Sequence, residues 1–113
     1  MRFGLEEKTI RKIQDVFAAF SEVDEAVLYG SRAKGNYKPG SDIDLTLKGE
    51  SINLAVLNKI SLKLDDLLLP YTFDLSVYCS IDNADLIDHI GRVGVSFYKK
   101  SDRNNLVKKE NKS

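Results

Sequence analysis

Several residue types are scarce or absent in this chain of 113 residues. It has no tryptophan, two prolines and a single cysteine, Cys79. One cysteine cannot form a disulfide within the chain, so we expect a reducing compartment and a cytoplasmic location. Net charge is absent too, because seventeen basic side chains balance seventeen acidic ones. A protein that coats nucleic acid needs a basic excess, so nucleic acid is not expected as a direct substrate.

Long apolar runs are also missing. The longest strongly apolar stretch is the row of leucines at positions 67–69, far below the roughly 20 residues of a membrane helix. Met1 is followed by no signal-peptide pattern. The sequence therefore predicts neither a membrane span nor a leader. A hydrophobic fraction of 42% with 30% charged residues is typical of a soluble globular domain.

Hydrophobic spacing predicts alternating helices and strands. Apolar residues three and four apart predict helices over 5–20 and 53–69, the second stopped by Pro70, and a third helix over 84–93 capped by Asp82 or Asn83. Strands are predicted over 26–29, 41–48, 71–78 and 95–98, with a short helical turn and a loop over 31–40. We expect one α/β (α+β) domain over residues 1–100, with a small mixed sheet and helices on one face, and a polar, loosely ordered tail over 101–113.

Three aspartates fall on the polar side of two predicted strands. Alternation puts Asp42 and Asp44 opposite the aliphatic residues of 41–48, and Asp74 has the same position in 71–78. If these strands are neighbours, the carboxylates lie within a few ångströms, because adjacent strands are ~4.8 Å apart. Such carboxylates repel one another unless cations lie between them. The pattern therefore predicts catalytic, metal-binding aspartates for two Mg²⁺ ions, with Mn²⁺ as a possible substitute.

A Gly-Ser turn precedes the first pair of aspartates by about ten residues. Gly30 lets the backbone approach a phosphate closely, and Ser31 offers a hydroxyl and an amide at the start of a helix, where an anion is favoured. Such turns, and Asp-x-Asp strand ends, also occur without function, but three aspartates on one uncovered face favour the functional interpretation. The other candidates for binding a triphosphate are Arg32, Lys34, Lys38 and Ser41.

Other polar residues are interpreted as structural. His89 is the only histidine and lies within the third predicted helix. Cys79 has no histidine near it in sequence and is expected to be an inert thiol. Tyr29, between the first strand and the turn, is expected in the core.

The stretches LYGSRAKG (28–35) and GSDIDL (40–45) resemble the signature of the DNA polymerase β nucleotidyltransferase superfamily, and so short a chain is most similar to its minimal nucleotidyltransferases. The resemblance covers most of residues 5–99. Lys34 occupies a position where the family often has arginine, which keeps the charge and loses a bidentate donor. The resemblance implies the polymerase β-like fold, with the family's functional residues at Gly30, Ser31, Asp42, Asp44 and Asp74.

Minimal nucleotidyltransferases are typically paired with helical HEPN proteins in toxin–antitoxin systems. The resemblance therefore implies an antitoxin that transfers AMP from ATP to a tyrosine of a HEPN toxin (AMPylation) and forms a hetero-oligomer with it. Asp74 would then also help to deprotonate the acceptor. One alternative is a catalytically weak nucleotide-binding module that neutralises its toxin by contact alone. Another is transfer to a small molecule, as in aminoglycoside-modifying relatives, for which no substrate-binding segment is visible.

Overall fold

The computed structural model describes residues 1–100, and the predicted tail over 101–113 lies outside the described residues. Within 1–100, α-helices and strands alternate in the predicted order, and a 3-10 turn follows the third strand at Tyr78–Ser80. The helices are α1 (Glu7–Ala18), α2 (Ser31–Lys34), α3 (Leu54–Asp65) and α4 (Ala84–Val93), and the strands are β1 (Glu25–Tyr29), β2 (Ile43–Lys48), β3 (Phe73–Val77) and β4 (Val95–Lys99).

The four strands form one mixed sheet with the order β3-β2-β1-β4. β1 is antiparallel to both β2 and β4, whereas β2 and β3 are parallel. A parallel pair needs a crossover connection, and α3 provides it. The predicted α+β fold class is confirmed. So is the expectation that the two aspartate-bearing strands are neighbours.

Helices α1 and α3 cover one face of the sheet. The apolar stripe of α1 is fully buried at Ile10, Ile13 and Phe17, and α3 contributes Ile60 and Leu64. These side chains pack on alternate residues of the central strands, as a period of two predicts. The strand residues in this cluster include Ala26, Leu28, Ile43, Leu45 and Leu47.

The expectation that all helices lie on one face holds for α1 and α3 but not for α4. Ile90 of α4 packs with Val27 and Tyr29, which alternate along β1 with the residues of the main core. β1 is apolar on both sides, so it needs a helix on each face. α4 therefore covers part of the aspartate-bearing face, above β1.

α3 ends before the predicted stop at Pro70. The amides of Leu67 and Leu68 bond to Leu64 and Asp65, three residues back, and Leu68 has a left-handed φ of 55°. α3 thus ends at Asp65, and the chain forms a tighter turn and leaves the helical conformation by Leu68, before it reaches the proline. At the other end the Asn53 side chain accepts from the amide of Val56, so Asn53 is the N-cap.

Candidate active site

A row of side chains crosses three strands on the face opposite α1 and α3. Tyr29 of β1 pairs with Asp44 of β2, and Asp44 pairs with Asp74 of β3. Adjacent strands are ~4.8 Å apart, so the two carboxylates lie side by side. Asp42 is exposed and comes just before β2, two residues from Asp44 and hence on the same side. The structure thus brings the three predicted aspartates to one end of the sheet.

The electrostatics of Asp44 reflect this crowding. Burial raises the pKa of Asp44 above its usual value, and the negative charges of Asp74 and Asp42 raise it further. The positive charge of Arg32, and to a lesser extent that of His89, acts in the opposite direction. Asp74 and Asp42 therefore each repel Asp44, and a bound cation would relieve that repulsion.

Gly30 brings the turn into direct contact with Asp44. Its φ of 76° and ψ of −156° belong to a region that is essentially restricted to glycine. A Cβ at this position would collide with Oδ2 of Asp44. Ser31, which is half-buried, begins α2 immediately after the turn. The predicted phosphate-binding pair thus lies beside the carboxylates, and its role stays a prediction.

Arg32, one of the predicted triphosphate-binding residues, is buried. Its side chain is 2% exposed. Its guanidinium donates hydrogen bonds to the carbonyl oxygens of Phe3, Pro39 and Ser41. Sequence reasoning assigned its charge to a triphosphate, but a buried guanidinium occupied in this way argues against such a contact. The cause is tertiary, because Phe3 lies far away in the chain.

Ser41 forms hydrogen bonds that stabilise the loop before β2. Its Oγ accepts from the amide of Lys38 at 2.8 Å, and its carbonyl oxygen accepts from Arg32. These bonds shape the turn that leads to Asp42. Lys34 and Lys38 are exposed, so of the predicted triphosphate-binding cations these two have side chains open to solvent.

Sequence reasoning missed a group of hydroxyls next to the carboxylates, on the same face and two residues further along β2 and β3. Tyr29 is buried, as expected, and interacts with Ser76, whose Oγ donates to Oγ1 of Thr46 at 2.9 Å. Burial raises the pKa of Tyr29, and the charges of Asp74 and Asp44 raise it further, so the phenol stays neutral. Alternation along β1 would have placed Tyr29 on this face, had the strand order been known.

His89 lies nearer the site than the sequence indicated. It is half-buried on α4, and its ring meets that of Tyr29 edge-on, with 6.3 Å between centroids. This contact is consistent with the structural role predicted for it. It also makes α4 one wall of the site.

The donor set fits a hard divalent cation that shares its coordination with a substrate. Asp42, Asp44 and Asp74 offer carboxylate oxygens, which Mg²⁺ prefers. Among residues 1–100, however, no three His, Cys, Asp or Glu side chains are arranged so that they alone could hold a metal ion. The aspartates therefore suit a cation whose other ligands are water and phosphate oxygens.

A groove on the opposite face contains none of the predicted site residues. It has a volume of about 490 Å³ and lies between α1 and α3, where Val16, Phe20 and Leu67 line it. Across residues 1–100, no helix has both the length and the apolar character needed to cross a membrane.

Comparisons with known proteins agree with this fold. A search of curated proteins finds no similar sequence. A toxin–antitoxin complex with AMP-PNP matches with a TM-score of 0.64 and 20% identity, over 90% of this chain and 80% of that chain. A tri-AMPylated Shewanella oneidensis HEPN toxin in complex with MNT antitoxin matches with a TM-score of 0.64 and 16% identity, over 90% and 79% of the chains. The toxin–antitoxin pair MntA–HepT matches with a TM-score of 0.62 and 16% identity, over 89% and 79%.

At these identities the solved structures establish the fold, and a match to a family model extends the likeness to the sequence. Residues 11–103, most of the chain, match the family described as polymerase beta, nucleotidyltransferase. The match includes the Gly30 turn and the aspartates gathered at the end of the sheet. The chain belongs to the polymerase β nucleotidyltransferase family.

Proposed function

We propose that this protein is a Mg²⁺-dependent nucleotidyltransferase that transfers AMP from ATP to a tyrosine hydroxyl of a HEPN-type toxin, and so acts as an antitoxin. The observation that carries the proposal is the pairing of Asp44 with Asp74, directly beside the Gly30 turn. Paired carboxylates beside a glycine turn that begins a helix are among the parts that nucleotidyl transfer uses. Family membership supports the reaction class.

Each residue of the site has a defined task in this proposal. Asp42 and Asp44 would hold Mg²⁺, which supplies charge neutralisation for the triphosphate when bound. Ser31 would donate a hydrogen bond to a phosphate beside the Gly30 turn, and the exposed Lys34 would add positive charge. Together they hold the triphosphate in one orientation against the carboxylates, which lowers the entropic part of the barrier.

Asp74 has the task closest to the acceptor. It is exposed at the open edge of the row, because β3 is the outermost strand on that side. An acceptor hydroxyl that approaches there can lose its proton to the carboxylate. The hydroxyl oxygen then forms a bond to the α-phosphorus, the bond between the α-phosphorus and the bridging oxygen breaks, and pyrophosphate leaves.

The acceptor is proposed from the solved relatives. One of them is a complex in which a HEPN toxin is tri-AMPylated beside its MNT antitoxin, and another contains AMP-PNP. By analogy this chain would form a hetero-oligomer with a helical toxin, which would provide the tyrosine. The reaction would take place in the cytoplasm, where ATP is available.

Labelled ATP tests the reaction class. The protein and its cognate toxin are incubated with Mg²⁺ and ATP labelled either at the α- or at the γ-phosphate. We expect label on the toxin only from α-labelled ATP, because AMP retains the α-phosphate alone. Transfer from the γ-position would indicate a kinase and refute the proposal. The Asp44→Asn variant is the negative control for the site.

A further inference from the structure

Arg32 is one of the most enclosed side chains near the site. It is 2% exposed, and its guanidinium carbon lies over the ring of Tyr37, 5.5 Å from the centroid, and over the ring of Tyr71, 5.0 Å from the centroid. An arginine is rarely buried to this extent unless its donors are satisfied. Here backbone carbonyl oxygens satisfy them, and the aromatic rings stabilise the charge.

The hydrogen bonds of Arg32 converge on the residue before Asp42. Nε and Nη2 both donate to the carbonyl oxygen of Ser41, at 3.1 and 2.9 Å. Nη2 also approaches the carbonyl of Pro39 at 3.4 Å, and Nη1 donates to Phe3 at 2.8 Å. These four contacts leave at most one of the five guanidinium N–H groups for any other partner.

Asp42 depends on these bonds because it lies outside the sheet. It is exposed and precedes β2, so strand pairing can fix only the peptide unit that leaves it. The carbonyl of Ser41 belongs to the peptide unit that enters Asp42, and Arg32 holds that unit. The amide of Ile43 belongs to the next residue and donates to Thr72 at 2.9 Å. Asp42 is thus held from both sides, once by the sheet and once by Arg32.

The same guanidinium also contacts the segment that leads into β3, the strand that carries Asp74. Tyr71, against which it packs, comes three residues before Asp74. Arg32 therefore contacts the segments that lead into both aspartate-bearing strands. Lysine could not replace it, since a single ammonium cannot place two donors on one carbonyl while a third reaches Phe3.

We propose that Arg32 is a positioning residue that fixes Asp42 relative to Asp44 and Asp74, and that it does not bind the triphosphate. The expected effect on catalysis rests on the proposed function. Loss of the bidentate bond to Ser41 should let Asp42 move, which weakens the metal site. The nucleotide's other contacts, through Ser31 and Lys34, should remain.

The test compares Arg32→Lys with Arg11→Lys, the same substitution at an exposed residue of α1. AMP transfer is measured as a function of Mg²⁺ and of ATP separately. For Arg32→Lys we expect the Mg²⁺ concentration at half-maximal rate to rise about tenfold, because a tenfold change corresponds to the free energy of one to two hydrogen bonds. The KM for ATP at saturating Mg²⁺ should change less than about threefold. Arg11→Lys should match the wild type in both. A rise in KM for ATP with unchanged Mg²⁺ dependence would overturn the proposal and make Arg32 a phosphate ligand.

A second readout needs neither ATP nor a toxin. The Ser41 amide donates to Lys38 at 3.0 Å within the turn that Arg32 closes. In Arg32→Lys its hydrogen exchange should accelerate about tenfold or more, while the amide of Leu45 in β2 keeps its wild-type rate. Unchanged exchange at Ser41 would refute the positioning role. If the wild type transfers no AMP, the proposed function fails, and the exchange result still decides this inference.

If Arg32→Lys does not fold, the Tyr71→Leu variant takes its place in both measurements. It removes one ring from the guanidinium and leaves all of its hydrogen-bond acceptors in place. The same two readouts should change in the same direction by a smaller factor, about threefold. Wild-type values for both in a folded Tyr71→Leu variant would contradict the proposal.

Discussion

Replacing Asp44 with asparagine should stabilise the isolated protein. Asp44 is half-buried, and Asp74 lies beside it on the adjacent strand. Two unit charges about 5 Å apart repel by about 1 kcal/mol in a water-like medium and by about 3 kcal/mol at an effective dielectric constant of 20. Because Asp74 is exposed, the lower figure applies. Asn has nearly the same shape and no charge, so it removes this repulsion and the cost of burying an ionised group.

The assay is thermal unfolding with divalent cations removed by EDTA. A gain of about 1 kcal/mol should raise the melting temperature of a domain this size by about 4–8 °C near neutral pH. The control is Asp82→Asn, an exposed aspartate in the turn before α4, which should change stability by less than about 0.5 kcal/mol. An Asp44→Asn variant that melts at or below the wild-type temperature would refute the carboxylate-crowding account.

The pH dependence has a definite sign. The pKa of Asp44 is raised in the folded state, mainly by burial, so the folded protein binds this proton more readily than the unfolded chain does. The destabilisation is therefore present above the folded pKa and is lost as the pH falls through it. The advantage of Asp44→Asn should shrink as the pH falls toward the usual aspartate pKa of about 3.9. An advantage that grows on acidification would contradict this reasoning.

Three further predictions concern single residues of the site. Gly30→Ala should destabilise the fold by at least about 1–3 kcal/mol, measured by melting, because its Cβ meets the Asp44 carboxylate in a strained backbone region; an unchanged melting temperature would contradict this. Asp74→Asn should retain ATP affinity by calorimetry and lose transfer by at least about 100-fold, and a near-normal rate would remove Asp74 from its role as base. Lys34→Met should raise KM for ATP about threefold to tenfold with kcat nearly unchanged, and an unchanged KM would exclude it as a triphosphate contact.

The placement of the aspartates was predictable because it depends on local rules. Alternation along β2 and β3 determines which side chains share a face. That the two strands are neighbours, in a register that pairs Asp44 with Asp74, was a condition of the prediction and is shown by the structure. The Gly30 turn was recognisable for a similar reason, since its backbone conformation needs glycine. Local pattern and tertiary structure agree at these positions.

The features that the sequence did not reveal depend on distant partners. Arg32 looked like a phosphate ligand because nothing in its local sequence shows that Phe3 and Tyr71 enclose it. α4 packs on β1 because β1 is apolar on both sides. That pattern predicts a helix on each face only when β1 is known to be a central strand, and the strand order comes from the structure. α3 ends at Asp65, and the left-handed conformation that Leu68 then adopts is rare for leucine, so sequence propensity does not predict it.

The most direct test of the central claim is the intact mass of the cognate HEPN toxin after incubation with this protein, ATP and Mg²⁺. The account predicts an increase by the mass of one AMP residue, or a small multiple of it, on a tyrosine, together with loss of toxin activity. The increase should be absent with the Ser31→Ala, Asp42→Ala double variant. A toxin that is neutralised equally by the wild type and the double variant, with no change in its mass, would contradict the account and favour inhibition by contact alone.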